Sequence, residues 1–85
     1  MIAPGIQEEV LPLDMLRAGE EANIVELTGN ASQIHRLAEM GFCPGACIRM
    51  VRCGSPCLLA LEGKRLSIRL SHDTEVMVAM AASMS

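Results

Sequence analysis

The hydrophobic period of the chain changes at Pro44-Gly45, and this change limits the folds that are available. In the segment directly before it, 31–40, apolar residues recur at helical spacing. After it, apolar and polar residues alternate, as in strands with one buried face, along three short runs: 46–53, 57–62 and 64–70. The breaks between the runs are far shorter than the roughly dozen residues of a parallel crossover. The three runs are therefore predicted to form consecutive antiparallel hairpins.

Two more strands and one helix are predicted around these hairpins. Glu20 to Leu27 and Thr74 to Met80 alternate like the first three runs. Asn30 can cap a helix over 31–40, with Gln33 reaching back in a capping box. Apolar residues at helical spacing predict the buried side of this helix: Ile34, Leu37, Ala38 and Met40.

The motif Gly41-Phe42 predicts how the helix ends, because glycine fits the left-handed position after the last turn and Phe42 can pack back on that turn. The same alternation predicts one buried sheet face: Ile48, Met50, Cys57, Leu59, Leu61, Leu66, Ile68, Val76 and Val78. The expected fold is mainly β, a small barrel of about five antiparallel strands with one α-helix. We expect a loosely held segment over 1–12, one domain over 13–80 and a tail over 81–85.

Composition excludes several classes of function. Phe42 is the only aromatic residue among the 85, so neither an aromatic peptide groove nor a base-stacking platform can be built. The net charge of −3 speaks against a nucleic-acid partner. No apolar run reaches the ~18 residues of a membrane span, and the first ten residues lack the basic and apolar regions of a secretory signal. The expected location is the cytoplasm, without direct membrane insertion.

Three short motifs, in this order and spacing, resemble the ferrous iron transport protein A (FeoA) family. They are Gly19 before the first strand, the run from Arg36 to Gly45, and the run Gly63-Lys64-Arg65-Leu66-Ser67-Ile68-Arg69. The resemblance covers about Leu13 to Met80. Within it, Gly41, Pro44, Gly45 and Gly63 are expected to be structural.

The resemblance implies an SH3-like barrel in the bacterial cytoplasm and a partner, the membrane iron transporter FeoB, which carries a GTPase domain. It implies a non-catalytic accessory protein that modulates this transporter. Two alternatives stay open: a small module that binds or senses divalent metal, and a stand-alone relative of the SH3-like domain of iron-dependent repressors. We expect no winged-helix region for reading DNA before the domain.

His35 and Glu39 are the best candidate metal ligands. Their i, i+4 spacing places them on one helix face, although an ordinary solvated face has the same pattern. His72 is a weaker candidate in the link to the last strand. No cofactor is required, but a two-ligand site of this kind could hold iron or zinc weakly, and the metal could bridge a homodimer.

Strand parity predicts a partner-binding surface on the outer side of the sheet. Leu58, Ala60 and Met77 are expected to face outward, and Leu58 and Met77 to contribute to one apolar patch. The second half of the chain also carries basic side chains that could match an acidic partner or simply form a solvated rim: Arg49, Lys64, Arg65 and Arg69.

The cysteines and the polar residues predict no further chemistry. Cys43, Cys47, Cys53 and Cys57 have a spacing that fits neither zinc knuckles nor a thioredoxin-like motif, and we expect small structural side chains that react slowly until the chain unfolds. The sequence offers no set of a nucleophile, a base and a group that orients the base on separate elements. The chain is therefore predicted not to be an enzyme.

Overall fold

The computed structural model describes residues 9–80, which form one antiparallel sheet, one α-helix and a turn of 3-10 helix. In chain order the elements are β1 (Val10–Pro12), the 3-10 turn (Leu13–Met15), β2 (Glu21–Thr28), α1 (Ala31–Glu39), β3 (Cys47–Arg52), β4 (Cys57–Leu61), β5 (Lys64–Ile68) and β6 (Glu75–Met80). The strand order is β1-β6-β2-β3-β4-β5. The prediction of a mainly β fold with one helix is confirmed.

Strand β1 is a correction to the predicted lead-in over 1–12. Val10 and Pro12 pair with Ala79 and Met77 of β6, so the chain joins the sheet before Leu13. Three residues are too few to show an alternating pattern, and proline is tolerated in an edge strand because its missing N–H is not needed there. The rest of the predicted lead-in, 1–8, and the predicted tail, 81–85, lie outside the described residues.

The sheet is open rather than closed into the expected barrel. Its two edges are β1 and β5, which stand at opposite ends of the strand order. The inner face is nevertheless covered, because four residues outside the strands join the buried cluster: Leu13 of the 3-10 turn, Leu16 just after it, Leu37 of α1, and Phe42. Covering one face in this way removes apolar area from water without a complete ring of strands.

The predicted buried face is confirmed. Strand β4 shows it most clearly, because Cys57, Leu59 and Leu61 are buried while Leu58 and Ala60 are half-buried on the other side. Of the nine predicted inward residues, eight are buried and Leu66 packs partly buried against them. Each large aliphatic side chain buried here contributes about 1.5–3 kcal/mol relative to exposure.

The start of α1 confirms the predicted cap and corrects the predicted capping box. The Asn30 Oδ1 accepts a hydrogen bond from the Gln33 backbone N–H at 2.9 Å. The Gln33 side chain does not reach back to Asn30, because it bridges to the link between β5 and β6. Its Nε2 donates to the Arg69 carbonyl at 3.0 Å, and its Oε1 accepts from the Ser71 N–H at 3.1 Å and hydroxyl at 2.7 Å. The Asn30 N–H instead donates to Thr74 Oγ1.

The end of α1 is a complete Schellman motif. The Gly41 N–H donates to the Ala38 carbonyl at 2.9 Å and the Phe42 N–H to the Leu37 carbonyl at 2.9 Å, with Gly41 at φ +89°. Ala38 and Met40, however, are exposed, so the predicted buried side of the helix is wrong at these two positions. Only Leu37 is buried within α1, because the helix covers the sheet with a narrow stripe.

The other predicted structural residues lie in turns. Pro44-Gly45 lies between α1 and β3, where the Gly45 N–H donates to the Ile24 carbonyl at 2.8 Å. Glu62-Gly63 forms the two-residue connection between β4 and β5, with φ +51° and φ +81°. Positive φ at both central residues is the signature of a type I′ hairpin turn, which favours Asn-Gly.

Replacing Glu62 with Asn should stabilise the protein by roughly 0.5–1 kcal/mol, because asparagine tolerates the left-handed region better than glutamate. Chemical unfolding followed by far-UV circular dichroism measures the change. Glu62→Ala is the matched control, since it removes the same carboxylate but keeps a side chain that disfavours positive φ. Equal stabilisation by both substitutions would attribute the effect to charge and contradict the backbone explanation.

Candidate functional site

The outer side of β3, β4 and β5 carries most of the predicted partner-binding residues. Ala60 pairs with Arg49 on one side and Arg65 on the other, so the three lie in one row across the sheet. Leu58 lies in the next row of β4, where it pairs with Arg52 and Ser67. Five of these residues are named the basic outer patch: Arg49, Arg52, Leu58, Ala60 and Arg65.

Arg52 is the member that sequence reasoning missed. Strict alternation from Ile48 and Met50 places Arg52 on the inner face. A register shift between Met50 and Arg52 adds one residue to β3, so that Arg52 comes opposite the outward-facing Leu58 and is exposed. The sequence signal for this bulge was the arginine itself, a charged residue at a position where alternation demands an apolar one.

The arginines of the basic outer patch have no carboxylate partner within the described residues. Over 9–80, the only contact within 4.0 Å between a basic and an acidic side chain joins His35 and Glu39 on α1. Glu21 of β2 is the register partner of Arg49 and marks the edge of the patch, but it forms no such contact. As far as residues 9–80 are concerned, the guanidinium groups are therefore free to bind carboxylates of another molecule.

Met77 does not belong to this patch. It lies on β6, which is separated from β4 by β2 and β3, whereas Leu58 lies on β4. The register also places Met77 beside Glu26, near the end of β2 that is remote from Glu21 and Arg49. The predicted apolar patch that joins Leu58 and Met77 is therefore wrong.

Lys64 begins β5, Arg69 directly follows its last residue, and both are exposed. Gln33 donates to the Arg69 carbonyl, and Arg69 lines a groove of about 380 Å³ between α1 and β5 together with Arg36 and Met40. Neither Lys64 nor Arg69 lies in the row of Ala60 or in that of Leu58. Their role in partner binding stays a prediction.

The helix pair His35 and Glu39 has the expected geometry of neighbours on one face. The His35 Nδ1 lies 3.5 Å from the Glu39 Oε2, and the two side chains are 77% and 66% exposed. Within residues 9–80 no group of three or more potential ligands is arranged to hold a metal ion. His72 lies apart from α1, in the link before β6, so the structure does not bring the two histidines into one described ligand group.

We expect Zn²⁺ to bind this pair weakly, since two exposed ligands leave most of the coordination shell to water. In an NMR titration the His35 ring signals should shift gradually, without saturating at an equimolar metal concentration. His72→Ala should leave the shifts unchanged, and Glu39→Gln should reduce them. Millimolar Zn²⁺ that leaves the His35 signals unmoved would show that the helix pair is not a metal site.

A groove of about 680 Å³ lies between the two sides of the open sheet, and no local sequence pattern indicated it. Its walls come from the β1 side, through Pro12 and Leu13, and from the β5 side, through Ile68 and Leu70. Asp14, His72 and Glu75 add polar groups to the lining. Strand pairings across the whole sheet create the groove, so local patterns could not reveal it.

The four cysteines differ in exposure. Cys57 is buried and its thiol donates to the Ile68 carbonyl at 3.5 Å, whereas Cys53 is exposed and its thiol donates to the Leu16 carbonyl at 3.2 Å. Cys47 is also exposed and Cys43 is half-buried. Cys47 and Cys53 lie at the start of β3 and just after its end, so they are not buried as structural thiols would be, and the slow reaction expected of all four thiols stays a prediction.

Burial raises the pKa of the Cys57 thiol above its ordinary value of 9.0. The folded thiol therefore keeps its proton at a pH at which the unfolded thiol has lost it, and the free energy of unfolding should fall as the pH rises above 9.0. Unfolding measured at about pH 8 and about pH 10 tests this, with Cys57→Ala as the control that should show a smaller fall. An identical fall in both proteins would contradict the assignment to Cys57.

Comparison with known proteins identifies the family. The family model described as "FeoA domain" matches residues 11–80. A crystal structure of an iron uptake regulatory protein (FeoA) is 27% identical, with a TM-score of 0.76 over 86% of this chain and 100% of that one. The solution structure of the FeoA protein from Chlorobium tepidum shares the fold at 23% identity, with a TM-score of 0.77 over 88% of this chain and 74% of that one. None of the proteins with curated descriptions matches the sequence.

Among residues 9–80, no helix combines sufficient length with sufficient apolar character to cross a bilayer.

Proposed function

Because the chain belongs to the FeoA family, we propose that it is a non-catalytic accessory protein that binds the cytoplasmic, GTPase-containing part of a FeoB-type transporter and modulates it. The observation that carries the proposal is the family match over residues 11–80, which includes every strand from β2 to β6 and the helix. The 27% identical relative is an iron uptake regulatory protein, and this supports a regulatory role in the same process.

The proposed modulation works through differential binding. A partner that binds two conformations of the transporter equally well cannot shift their populations, so the protein must prefer one nucleotide state. A small sheet with a covered core suits this role, because its surface is held in place by the packing beneath it. The exposed outer side of β3, β4 and β5 is the surface available for such contacts.

The direct test is binding of the purified full chain to a FeoB-type transporter from the same cells. Biolayer interferometry with the detergent-solubilised transporter should detect binding, with different affinities in the GTP-analogue, GDP and nucleotide-free states. The rate of GTP hydrolysis and of Fe²⁺ uptake should change on addition of the chain. Absence of binding in every nucleotide state would reject the proposed function.

The metal-binding alternative rests on the 3.5 Å contact between His35 and Glu39. Ferrous iron uptake in cells that lack the chain separates the two functions, after complementation with Leu58→Asp or His35→Ala. If the chain acts by docking through the outer side of the sheet, the Leu58 variant fails and the His35 variant restores uptake. The reverse result would favour metal binding or sensing. Circular dichroism of both purified variants controls for folding.

A further inference from the structure

The basic outer patch combines charge with a shallow apolar centre. Neighbouring strands lie about 4.8 Å apart, which places the Cα atoms of Arg49 and Arg65 roughly 10 Å apart across Ala60. Because the side chain of Ala60 is only a methyl group, the surface of β4 lies lower here than the long side chains of Arg49 and Arg65 on either side. Leu58 is half-buried in the adjacent row and has Arg52 beside it.

The charge of the patch is unbalanced within the described residues. Arg49, Arg52 and Arg65 are exposed and form no ion pair over 9–80, although the whole chain carries ten acidic residues against seven basic ones. Glu21 is the acidic residue that the register pairs with Arg49, on the β2 side, and Glu62 follows Ala60 by two positions in the turn after β4. Three like charges on adjacent strands repel each other, and an external anion relieves this repulsion.

Guanidinium groups favour a particular kind of anion. Their planar fork donates two parallel hydrogen bonds to a carboxylate, which a point charge such as lysine ammonium does not. Two such forks on either side of a low apolar strip fit a protein surface with spaced Asp or Glu side chains and an apolar residue between them. The apolar residue would pack on Leu58 and Ala60, where burial strengthens the flanking ion pairs.

Two other anionic partners fit less well. A nucleic acid would meet a chain of net charge −3 whose only aromatic side chain, Phe42, is fully buried and cannot stack on bases. An anionic membrane surface is usually bound by clusters of four to eight basic residues, more than the patch supplies. A carboxylate-bearing protein surface is the partner that the patch fits best.

We propose that the basic outer patch is the docking surface for an acidic segment of the protein's partner, with Arg49 and Arg65 gripping carboxylates on either side of Ala60. This inference rests on the proposed function for the identity of the partner, and it adds the surface and the chemistry of recognition. Arg52 belongs to the same surface through the bulge in β3.

The test measures association of the full chain with the FeoB-type transporter in phosphatidylcholine nanodiscs. The double charge reversal R49E/R65E should lower the association rate by roughly tenfold or more, and raising the salt concentration from about 50 mM to about 500 mM should slow the wild-type protein but not the variant. The single variant Arg65→Glu should also slow association, by less than the double variant. Arg36→Glu is its matched control, because it makes the same charge change on α1. It should leave the rate nearly unchanged.

The outcomes separate the two proposals. If the wild-type chain does not bind the transporter at all, the proposed function fails. If it binds but R49E/R65E associates at the wild-type rate, the docking surface is wrong and the proposed function stands. Binding of the wild-type chain to phosphatidylglycerol vesicles or to duplex DNA, lost in R49E/R65E while transporter binding persists, would also overturn the inference. Both arginines are exposed, so thermal unfolding should confirm that the variants keep the fold.

Discussion

Replacing Phe42 with Ala should lower the free energy of unfolding by about 3–5 kcal/mol. Phe42 is completely buried, is the largest side chain in the core, and joins the end of α1 to the sheet. Truncation removes its burial and leaves a cavity in a core that has no other aromatic residue to fill it. Since small domains are stable by about 5–15 kcal/mol in total, the loss would be a large part of the whole.

Far-UV circular dichroism during urea unfolding is the suitable measurement, because the chain has neither Trp nor Tyr for fluorescence. Phe42→Leu is the control: it keeps the backbone hydrogen bond to Leu37 and most of the volume, and should cost less than the alanine variant. A loss below about 1 kcal/mol in Phe42→Ala would show that the ring contributes little to packing.

Replacing Gly29 with Ala should destabilise the protein by about 3–5 kcal/mol, because the new Cβ has no room. It would overlap the Asp73 carbonyl oxygen and lie 2.7 Å from the Thr74 Cα, and the backbone at φ +116° disfavours any side chain. Both opposing atoms belong to backbone and cannot turn away. The strain would separate the end of β2 from the start of β6.

Gly19→Ala is the matched control for Gly29. Its φ of +94° is also positive, but a Cβ there meets nothing within 4 Å. The control should therefore cost only the left-handed backbone penalty of about 1–2 kcal/mol. The difference between the two melting temperatures measures the steric part of the effect, and equal losses would contradict the close approach at Gly29.

Local patterns predicted the secondary structure well, because strands with one buried face carry their own signal. The alternation of β4 and the glycine after α1 each placed an element within a residue or two of its observed bounds. Strand β1 was not predicted because Val10–Pro12 is too short to show an alternating pattern. Ala38 and Met40 were assigned to the core because helical spacing marks a face, but the width of the buried stripe depends on how the helix rests on the sheet.

Only part of the basic outer patch could be predicted from the sequence, namely the part that follows from the alternation of side chains along each strand. Parity placed Ala60 and Leu58 outward, and the register then showed that Arg49 and Arg65 lie in the same row as Ala60. Alternation along a strand does not show which strands are neighbours. The separation of Leu58 from Met77 could therefore be recognised only from the pairing of β6 with β2. The bulge that brings Arg52 outward is likewise set by pairing across strands.

The attachment of α1 has a consequence for how the molecule opens. The helix buries only Leu37 fully and is fastened mainly at its ends, by Gln33 on one side and the turn at Phe42 on the other. Backbone amides in such a segment exchange with deuterium through local openings that leave the rest of the molecule cooperative. Amides in the middle of α1 should therefore exchange faster than those of the central strands, and the strands should set the slowest rate of the whole chain.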